Sequence, residues 1–294
     1  MTSKLTGRVI RSQSGFFTVE TEAGNFIAQI PGRLKQEKKL TDLVTIGDWV
    51  EITPLDEKTA VIESVAEREQ VLVANPDQVV FVFSIRKPAS SLRKLDRFLV
   101  VAEMNELPAV ICVNKMDLAR PGEAEALFGL YADIGYPVIY TSAKTGQGID
   151  DLRDQLTGNI SVLAGSSGVG KSSLLNAIQP GLGLQVRSVS AATEKGLHTT
   201  RYAELFPLAG GGYVADTPGI RGLALFDVES EELDGYFREI APLVADCRFS
   251  DCTHVHEPGC AVKQAVENGR VAVQRYESYL RLREEHEALE DELY

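Results

Sequence analysis

The 294-residue chain has few of the features that mark secreted or membrane proteins. Residues 1–6 carry none of the apolar character of a signal peptide. The longest apolar runs, such as residues 79–83, are far too short to cross a bilayer. Only four cysteines are present, which in such a chain favours thiols or metal ligands over disulfides. Internal repeats and low-complexity segments are also lacking. We therefore expect a cytoplasmic protein with no membrane partner.

Positive charge is scarce as well. The net charge of −12 by itself argues against a nucleic-acid-binding protein. The deficit of positive charge is unevenly distributed along the chain, however. Residues 1–68 hold 9 Lys and Arg against 10 Asp and Glu, and residues 69–225 hold 14 Lys and Arg against 15 Asp and Glu. Residues 226–294 hold 7 against 17. Since nearly all the excess acidity lies in the last quarter, the first two regions still have room for local basic patches.

The residue pattern changes along the chain in the same way. Residues 1–68 contain five short β-rich runs separated by turns, which predict a small barrel of the OB kind, with an SH3-like barrel as the alternative. From residue 79 onward, continuous apolar runs alternate with helical patterns, as is typical of a parallel α/β sheet. The last region is helical in pattern, with candidate helices at 229–240 and 271–289. We expect three domains, at 1–68, 69–225 and 226–294.

A phosphate-binding motif lies in the middle region, between a predicted strand at 160–164 and a predicted helix at 171–178. Its spacing is G-x4-G-K-[ST], in which backbone N–H groups surround phosphates, the lysine reaches the β- and γ-phosphates and the hydroxyl binds Mg²⁺. A helix that begins there also points its positive end at the anion. The candidate residues are Gly165, Ser166, Ser167, Gly168, Val169, Gly170, Lys171, Ser172 and Ser173.

The base is identified by a second motif, Asn114-Lys115-Met116-Asp117, which follows the predicted strand at 109–113. A carboxylate there accepts hydrogen bonds from N1–H and the 2-amino group of guanine, and adenine has no such pair of donors. The next strand ends at Thr141 and is followed by Ser142, Ala143 and Lys144, which resemble the loop that contacts guanine O6. The motifs therefore predict GTP and GDP as ligands.

Two further motifs complete a GTPase. Asp216 and Gly219 stand in a D-x-x-G sequence, where the aspartate holds Mg²⁺ through water and the glycine N–H contacts the γ-phosphate. His198, Thr199 and Thr200 lie between the phosphate-binding motif and D-x-x-G, in the place of switch I. One of the two threonines is expected to bind Mg²⁺, and the sequence does not distinguish them. His198 is either a residue that positions water or an exposed loop residue.

The order of these motifs is unusual. Most GTPases run from the phosphate-binding motif through D-x-x-G to N-K-x-D, whereas this chain begins with N-K-x-D and ends with D-x-x-G. The same sheet forms if the usual termini are joined near residues 157–158, so the order predicts a circular permutation. Ile220 occupies the position where Ras-type enzymes carry a water-orienting glutamine. We therefore expect slow intrinsic hydrolysis.

A metal-binding pattern lies in the acidic last region. Cys247, Cys252, His254 and Cys260 offer three sulfurs and one imidazole within fourteen residues, a set typical of structural Zn²⁺. His256 is a competing imidazole. Cys112 lies in an apolar strand and is expected to be a core residue.

Taken together, the small barrel, the permuted GTPase motifs and the Cys-x4-Cys-x-His-x5-Cys element resemble the RsgA (YjeQ) family over nearly the whole chain. The resemblance implies an OB-type N-terminal domain, a permuted P-loop GTPase domain and an α-helical zinc-binding domain. It also implies that the protein binds the 30S ribosomal subunit and its 16S rRNA, acts late in subunit maturation, and hydrolyses GTP when the subunit stimulates it. Family members also carry an apolar residue at the position of Ile220.

The residues themselves say less about RNA. Lys35, Lys38 and Lys39 in a predicted barrel loop, with Arg8 and Arg11 on a strand, are candidates for contacts with phosphates. The alternative is a solvated loop of mixed charge. A monomer is the default expectation for the oligomeric state.

Overall fold

The computed structural model describes residues 4–13, 16–30, 44–66, 76–181, 205–216 and 230–293. Its first part is a closed barrel with the strand order β1-β2-β3-β5-β4. β3 and β5 run parallel and the other neighbours run antiparallel, which confirms the OB-type barrel rather than the SH3-like alternative. The strands are β1 (Leu5–Gln13), β2 (Phe16–Thr21), β3 (Gly24–Gln29), β4 (Trp49–Pro54) and β5 (Thr59–Val65).

A six-stranded sheet forms the central part, in the order β10-β11-β9-β6-β7-β8. All pairs are parallel except β10 with β11. The fully buried strands β6, β7 and β9 are those that the sequence shows as continuous apolar runs. The six strands are β6 (Gln78–Ser84), β7 (Ala109–Asn114), β8 (Val138–Tyr140), β9 (Ile160–Ala164), β10 (Leu205–Pro207) and β11 (Tyr213–Asp216).

Helices cover both faces of this sheet. α1 (Leu92–Met104) and α2 (Glu123–Asp133) pack on the face that carries Phe81 and Phe83. α3 (Ile149–Leu156) and α4 (Lys171–Ile178) pack on the opposite face, against Val80 and Val82. Successive residues of β6 therefore point to opposite helical layers, and the motif-bearing ends of the parallel strands lie at one edge between them.

The last part contains α5 (Ala261–Glu267), α6 (Val273–Leu293) and two 3₁₀ stretches, Ser230–Tyr236 and Ala241–Asp246. The prediction of a single α-helix at 229–240 was therefore wrong. Gly235 lowers helix propensity there, and Leu233, Phe237 and Ile240 are instead buried in a cluster with Tyr279 and Leu282 of α6. Val100 and Val101 of α1 belong to the same cluster, so the last part packs directly on the central domain.

The barrel also contacts the central sheet. The Tyr213 hydroxyl at the start of β11 donates a hydrogen bond to the Glu20 carboxylate of β2. The Arg8 guanidinium lies over the Trp49 ring at 4.7 Å and near the Tyr213 ring at 5.7 Å. Among the described residues, we find no helix with the length and apolar character needed to cross a membrane.

Candidate functional site

The phosphate-binding motif follows β9 and leads into α4, as its sequence predicts. Gly170 has φ +105°, and a Cβ there would lie 2.3 Å from Nδ2 of Asn114. A Cβ on Gly165 would lie 2.2 Å from the Val82 carbonyl oxygen. Glycine is therefore required at both positions by the close approach of neighbouring strands, which leaves the loop backbone free to face a ligand. Nζ of Lys171 donates to the carbonyl oxygens of Gly165, at 2.8 Å, and Ser166, at 3.4 Å.

Asn114 and Lys115 connect this loop to the second motif. Nδ2 of Asn114 donates to the Val169 carbonyl oxygen at 2.9 Å, and its Oδ1 accepts from the Ala143 N–H at 3.3 Å. Nζ of Lys115 donates to the Gly168 carbonyl oxygen at 2.6 Å. Burial lowers the pKa of Lys115, and the nearby Asp117 charge opposes that shift. Three loops that are far apart in the sequence are thus joined at one strand edge.

Asp117 lies in the turn that follows β7 at this edge. Its Oδ1 accepts from the Ser142 hydroxyl at 2.7 Å, and Nζ of Lys144 lies 3.8 Å from its Oδ2. Ser142 is fully buried, whereas the Lys144 side chain is 79% exposed. Met116 begins a short 3₁₀ turn that ends at Leu118. The carboxylate therefore has a fixed orientation, with one hydrogen bond from a buried neighbour.

Several predicted residues lie outside the part of the chain that the structure describes. These are His198, Thr199, Thr200, Gly219 and Ile220, together with the loop lysines Lys35, Lys38 and Lys39. Asp216 ends β11 in register with Leu163 of β9, which places its backbone beside the strand that carries the phosphate-binding motif. Ser172 and Ser173 lie in the first turn of α4.

The four predicted metal ligands come together in the last part of the chain. One ligand atom from each of Cys247, Cys252, His254 and Cys260 lies within 4.8 Å of the others. Cys252, His254 and Cys260 are buried, whereas the competing His256 is exposed. Burial opposes ionisation of the Cys247 thiol, but backbone N–H groups of Ala261 and Val262 give it a lowered pKa overall. The donor set is closed and rich in sulfur.

The spacing of these atoms tests whether zinc fits. Sγ of Cys247 lies 3.9 Å from Sγ of Cys260, and Nδ1 of His254 lies 3.5 Å and 3.4 Å from these two sulfurs. Tetrahedral zinc with typical bond lengths requires S–S edges of about 3.8 Å and S–N edges of about 3.6 Å. The three spacings among Cys247, His254 and Cys260 therefore match a tetrahedral zinc site that uses Nδ1 of His254, and the ligand atom of Cys252 lies within 4.8 Å of the other three.

Arg8, one of the candidates for an RNA contact, already makes contacts within the protein. The Arg8 side chain packs over Trp49 and beside Tyr213, and burial lowers its pKa. Arg11 remains an exposed residue of β1. Trp49 is 45% exposed and Phe16, at the start of β2, is 47% exposed, so the barrel surface also offers aromatic rings.

Some contacts of the site carried no recognisable sequence signal. Gly168 and Val169 were predicted as part of the phosphate-binding motif, but the hydrogen bonds of their carbonyl groups with Lys115 and Asn114 were not, because any residue type supplies a carbonyl. Asp234 lies 20 positions before His254 and contacts it, but a single aspartate in an acidic region does not stand out.

The strand-edge loops and the motif order define a circularly permuted P-loop GTPase. Residues 55–226 match the RsgA GTPase family, and residues 6–62 match the RsgA N-terminal domain. The chain belongs to the RsgA GTPase family and is a GTP-hydrolysing enzyme.

Similar proteins cover the chain almost completely. A protein of Gemmatimonas aurantiaca named small ribosomal subunit biogenesis GTPase RsgA is 45% identical over 97% of this chain and 98% of its own length. A Thermotoga maritima protein of the same name is 45% identical, covering 96% and 97%. The crystal structure of YjeQ from Thermotoga maritima superposes with a TM-score of 0.81 at 43% identity, covering 97% and 99%. YloQ, described as a circularly permuted GTPase, gives 0.79 at 35% identity, covering 97% and 96%.

Proposed function

We propose that this protein binds the 30S ribosomal subunit and its 16S rRNA, acts in late maturation of that subunit, and hydrolyses GTP in response to it. The observation that carries the proposal is its near full-length similarity to proteins named small ribosomal subunit biogenesis GTPase. In this proposal the chain works as a monomer, GTP favours docking, and hydrolysis leads to release. A nucleotide-gated binding module with incidental hydrolysis is the second candidate.

The test of the ribosomal role is GTP turnover with and without purified 30S subunits. We expect slow turnover of the chain alone, since Ile220 is unable to orient water, and faster turnover when subunits are added. Equal turnover in both conditions would contradict the proposal. Release of Lys171→Ala and Ser172→Ala from 30S subunits distinguishes the hydrolysis-driven switch from the binding module. If the protein is a switch, a variant that no longer hydrolyses GTP should stay on the subunit. Normal release without hydrolysis would favour the binding module.

Most of the predicted nucleotide-site residues have a specific role in this proposal. Asp117 accepts from N1–H and the 2-amino group of guanine, and Asn114 and Lys115 brace the loop beneath the base. The backbone of residues 165–170 and the side chain of Lys171 hold the phosphates. Ser172, Asp216 and one of Thr199 and Thr200 hold Mg²⁺, which when bound neutralises phosphate charge. Gly219 contacts the γ-phosphate, and His198 orients water.

The proposed recognition of guanine by Asp117 is tested by changing the nucleotide base and this side chain together. Asp117→Asn replaces one acceptor with an amide donor, which suits the 2-oxo group of xanthine. We expect GTP affinity to fall by at least about 100-fold, with xanthosine triphosphate favoured instead. Asp133→Asn, which alters an exposed carboxylate at the end of α2, is the matched control. An unchanged GTP affinity in Asp117→Asn would remove this residue from the site.

The proposal also includes a structural zinc site, formed by the cluster of three cysteines and one histidine. Its support is the closed donor set and the match of the spacings among Cys247, His254 and Cys260 to those around a tetrahedral ion. Four protein ligands leave no position for a substrate, so zinc there would stabilise the fold of the last part of the chain rather than take part in hydrolysis. Metal analysis of the purified chain, expected to give one zinc per chain, is the direct check.

A further inference from the structure

Asp234 is placed against the back of the candidate zinc ligand His254. Its Oδ2 lies 2.9 Å from Nε2 of His254. The His254 side chain has no exposed surface, and that of Asp234 is 15% exposed. The carboxylate belongs to the 3₁₀ stretch Ser230–Tyr236, which precedes the cysteine-bearing segment in the sequence. The contact therefore joins two segments of the chain.

The two ring nitrogens of His254 face different partners. Nδ1 faces the sulfurs of Cys247 and Cys260, and Nε2 faces Asp234. A histidine binds a metal through the nitrogen that carries no hydrogen, so coordination by Nδ1 requires a hydrogen on Nε2. A carboxylate at Nε2 accepts from that N–H and favours this tautomer. Because Asp234 lies on the opposite side of the ring from the sulfurs, it does not act as a ligand itself.

The backbone of His254 is held by other groups. Its φ is +62°, its carbonyl oxygen accepts from the Tyr276 hydroxyl at 2.5 Å, and the preceding Thr253 carbonyl oxygen accepts from Tyr279 at 2.9 Å. Both tyrosines lie on α6. These contacts fix the position of the peptide, and the buried imidazole ring lies 5.9 Å, between centroids, from the ring of Tyr279. The hydrogen bond at Nε2 adds a directional restraint on rotation of the imidazole ring.

We propose that Asp234 is a positioning residue for the metal site, which holds the His254 ring so that Nδ1 points at the ion. This inference rests on the proposed zinc site. The same contact attaches the first described residues after β11 to the cluster, since Asp234 lies in the stretch that begins at Ser230. Arg283 of α6 adds a second attachment, because its Nη1 donates to the Ser230 carbonyl oxygen at 2.9 Å. Loss of Asp234 should therefore weaken metal binding while leaving all four ligands in place.

The experiment measures zinc affinity of the full chain by competition with a chromophoric chelator at constant pH. We expect Asp234→Ala to weaken zinc binding by about 10–100-fold. Asp234→Asn keeps an acceptor but loses the charge, and we expect a smaller but measurable weakening. Glu232→Ala removes an exposed carboxylate from the same 3₁₀ stretch and is expected to bind zinc as the unaltered chain does.

The outcomes separate this inference from the zinc proposal. If the unaltered chain binds no zinc, the zinc site itself is wrong. If the unaltered chain binds zinc and both Asp234 variants bind it equally well, the positioning role is overturned while the site stands. If Asp234→Ala does not fold, the affinity of Asp234→Asn decides the matter alone. The absorption spectrum of the cobalt-substituted variants should keep three thiolate ligands, and loss of a thiolate would contradict the positioning role.

Discussion

Nη1 of Arg275 in α6 donates to Oδ1 of Asp96 in α1 at 2.8 Å, and neither side chain has any exposed surface. Nε of the same guanidinium donates to Oε1 of Glu239 at 2.6 Å. Tyr131 of α2 and Ser278 of α6 also donate to the Asp96 carboxylate. The paired charges raise the pKa of Arg275 despite its burial. One buried ion network therefore joins the GTPase domain to the last part of the chain, which carries the candidate zinc site.

Removal of the Arg275 charge should destabilise the protein strongly. Arg275→Met leaves Asp96 and Glu239 without their cation, and breaking a buried pair in this way costs about 3–5 kcal/mol. The measurement is the free energy of unfolding in urea. Arg97→Met is the matched control, because Arg97 pairs with Glu285 between the same two helices at 41% and 45% side-chain exposure. That exposed pair should contribute less than about 1 kcal/mol, and equal losses in the two variants would contradict this account.

Replacement of Gly170 should damage the nucleotide site. An alanine there meets Nδ2 of Asn114 at 2.3 Å and is held at φ +105°, a conformation that costs about 1–3 kcal/mol for such a residue. Because Asn114 must move, Gly170→Ala should weaken GDP binding by about tenfold or more, as measured by titration calorimetry. Gly129→Ala in α2 meets no neighbouring atom. It should leave GDP binding unchanged and stabilise the helix by about 0.5–1 kcal/mol.

Chelation should expose three of the four thiols. Cys112 is fully buried, and burial raises the pKa of its thiol to about 12, so it remains an unreactive thiol at mildly alkaline pH. The other three cysteines form the candidate zinc site. With a disulfide reagent, we expect no reaction of the zinc-loaded chain, three reacting thiols after chelation and four after denaturation. Cys112→Ala should leave the count after chelation unchanged, and a fourth thiol reacting before denaturation would contradict the assignment.

The contact between the barrel and the sheet should weaken at alkaline pH. Burial and the hydrogen bond to Glu20 raise the pKa of the Tyr213 phenol to about 12. Because the folded-state pKa lies above the unfolded value near 10, the stabilisation is complete below about pH 10 and is lost as the pH rises towards about 12. The difference in unfolding free energy between the unaltered chain and Tyr213→Phe should therefore shrink across that interval. Glu20→Gln should move one tyrosinate titration to lower pH, and an unchanged titration would contradict the contact.

Strand and helix positions with a strong local pattern were predicted well. The apolar runs at 79–83 and 109–113 are β6 and β7, and the helix predicted at 171–178 is α4. The first barrel strand was predicted around Arg8 and Arg11, whereas β1 extends from Leu5 to Gln13. Apart from the buried Gly7 and Val9, residues 5–12 of this strand are partly or largely exposed, and the strand pairs on its two sides with β2 and β4. Pairing with both neighbouring strands of the closed barrel stabilises these residues, and a local hydrophobic pattern gives no sign of such pairing.

Side-chain identity was predicted more fully than side-chain contacts. The ligand types at Cys247, Cys252, His254 and Cys260 were recognisable from spacing, and the structure brings their atoms together. His256 was named as a competitor of His254, and the structure separates the two because His254 is buried in the cluster and His256 is exposed. By contrast, the role of Arg8 as an interdomain side chain was not foreseen, since its partner Tyr213 lies far away in the sequence.

The sequence by itself determined the class of this protein. The motifs, their spacing and their permuted order can be read directly from the chain, because each motif lies within a few residues and its function follows from local geometry. Only the tertiary structure decided how the pieces are joined. Asn114 meets Val169 across 55 positions, Asp234 meets His254 across 20, and Arg275 meets Asp96 across 179. Such contacts depend on sheet order and on the packing of α6 against α1, which no local pattern of residues specifies.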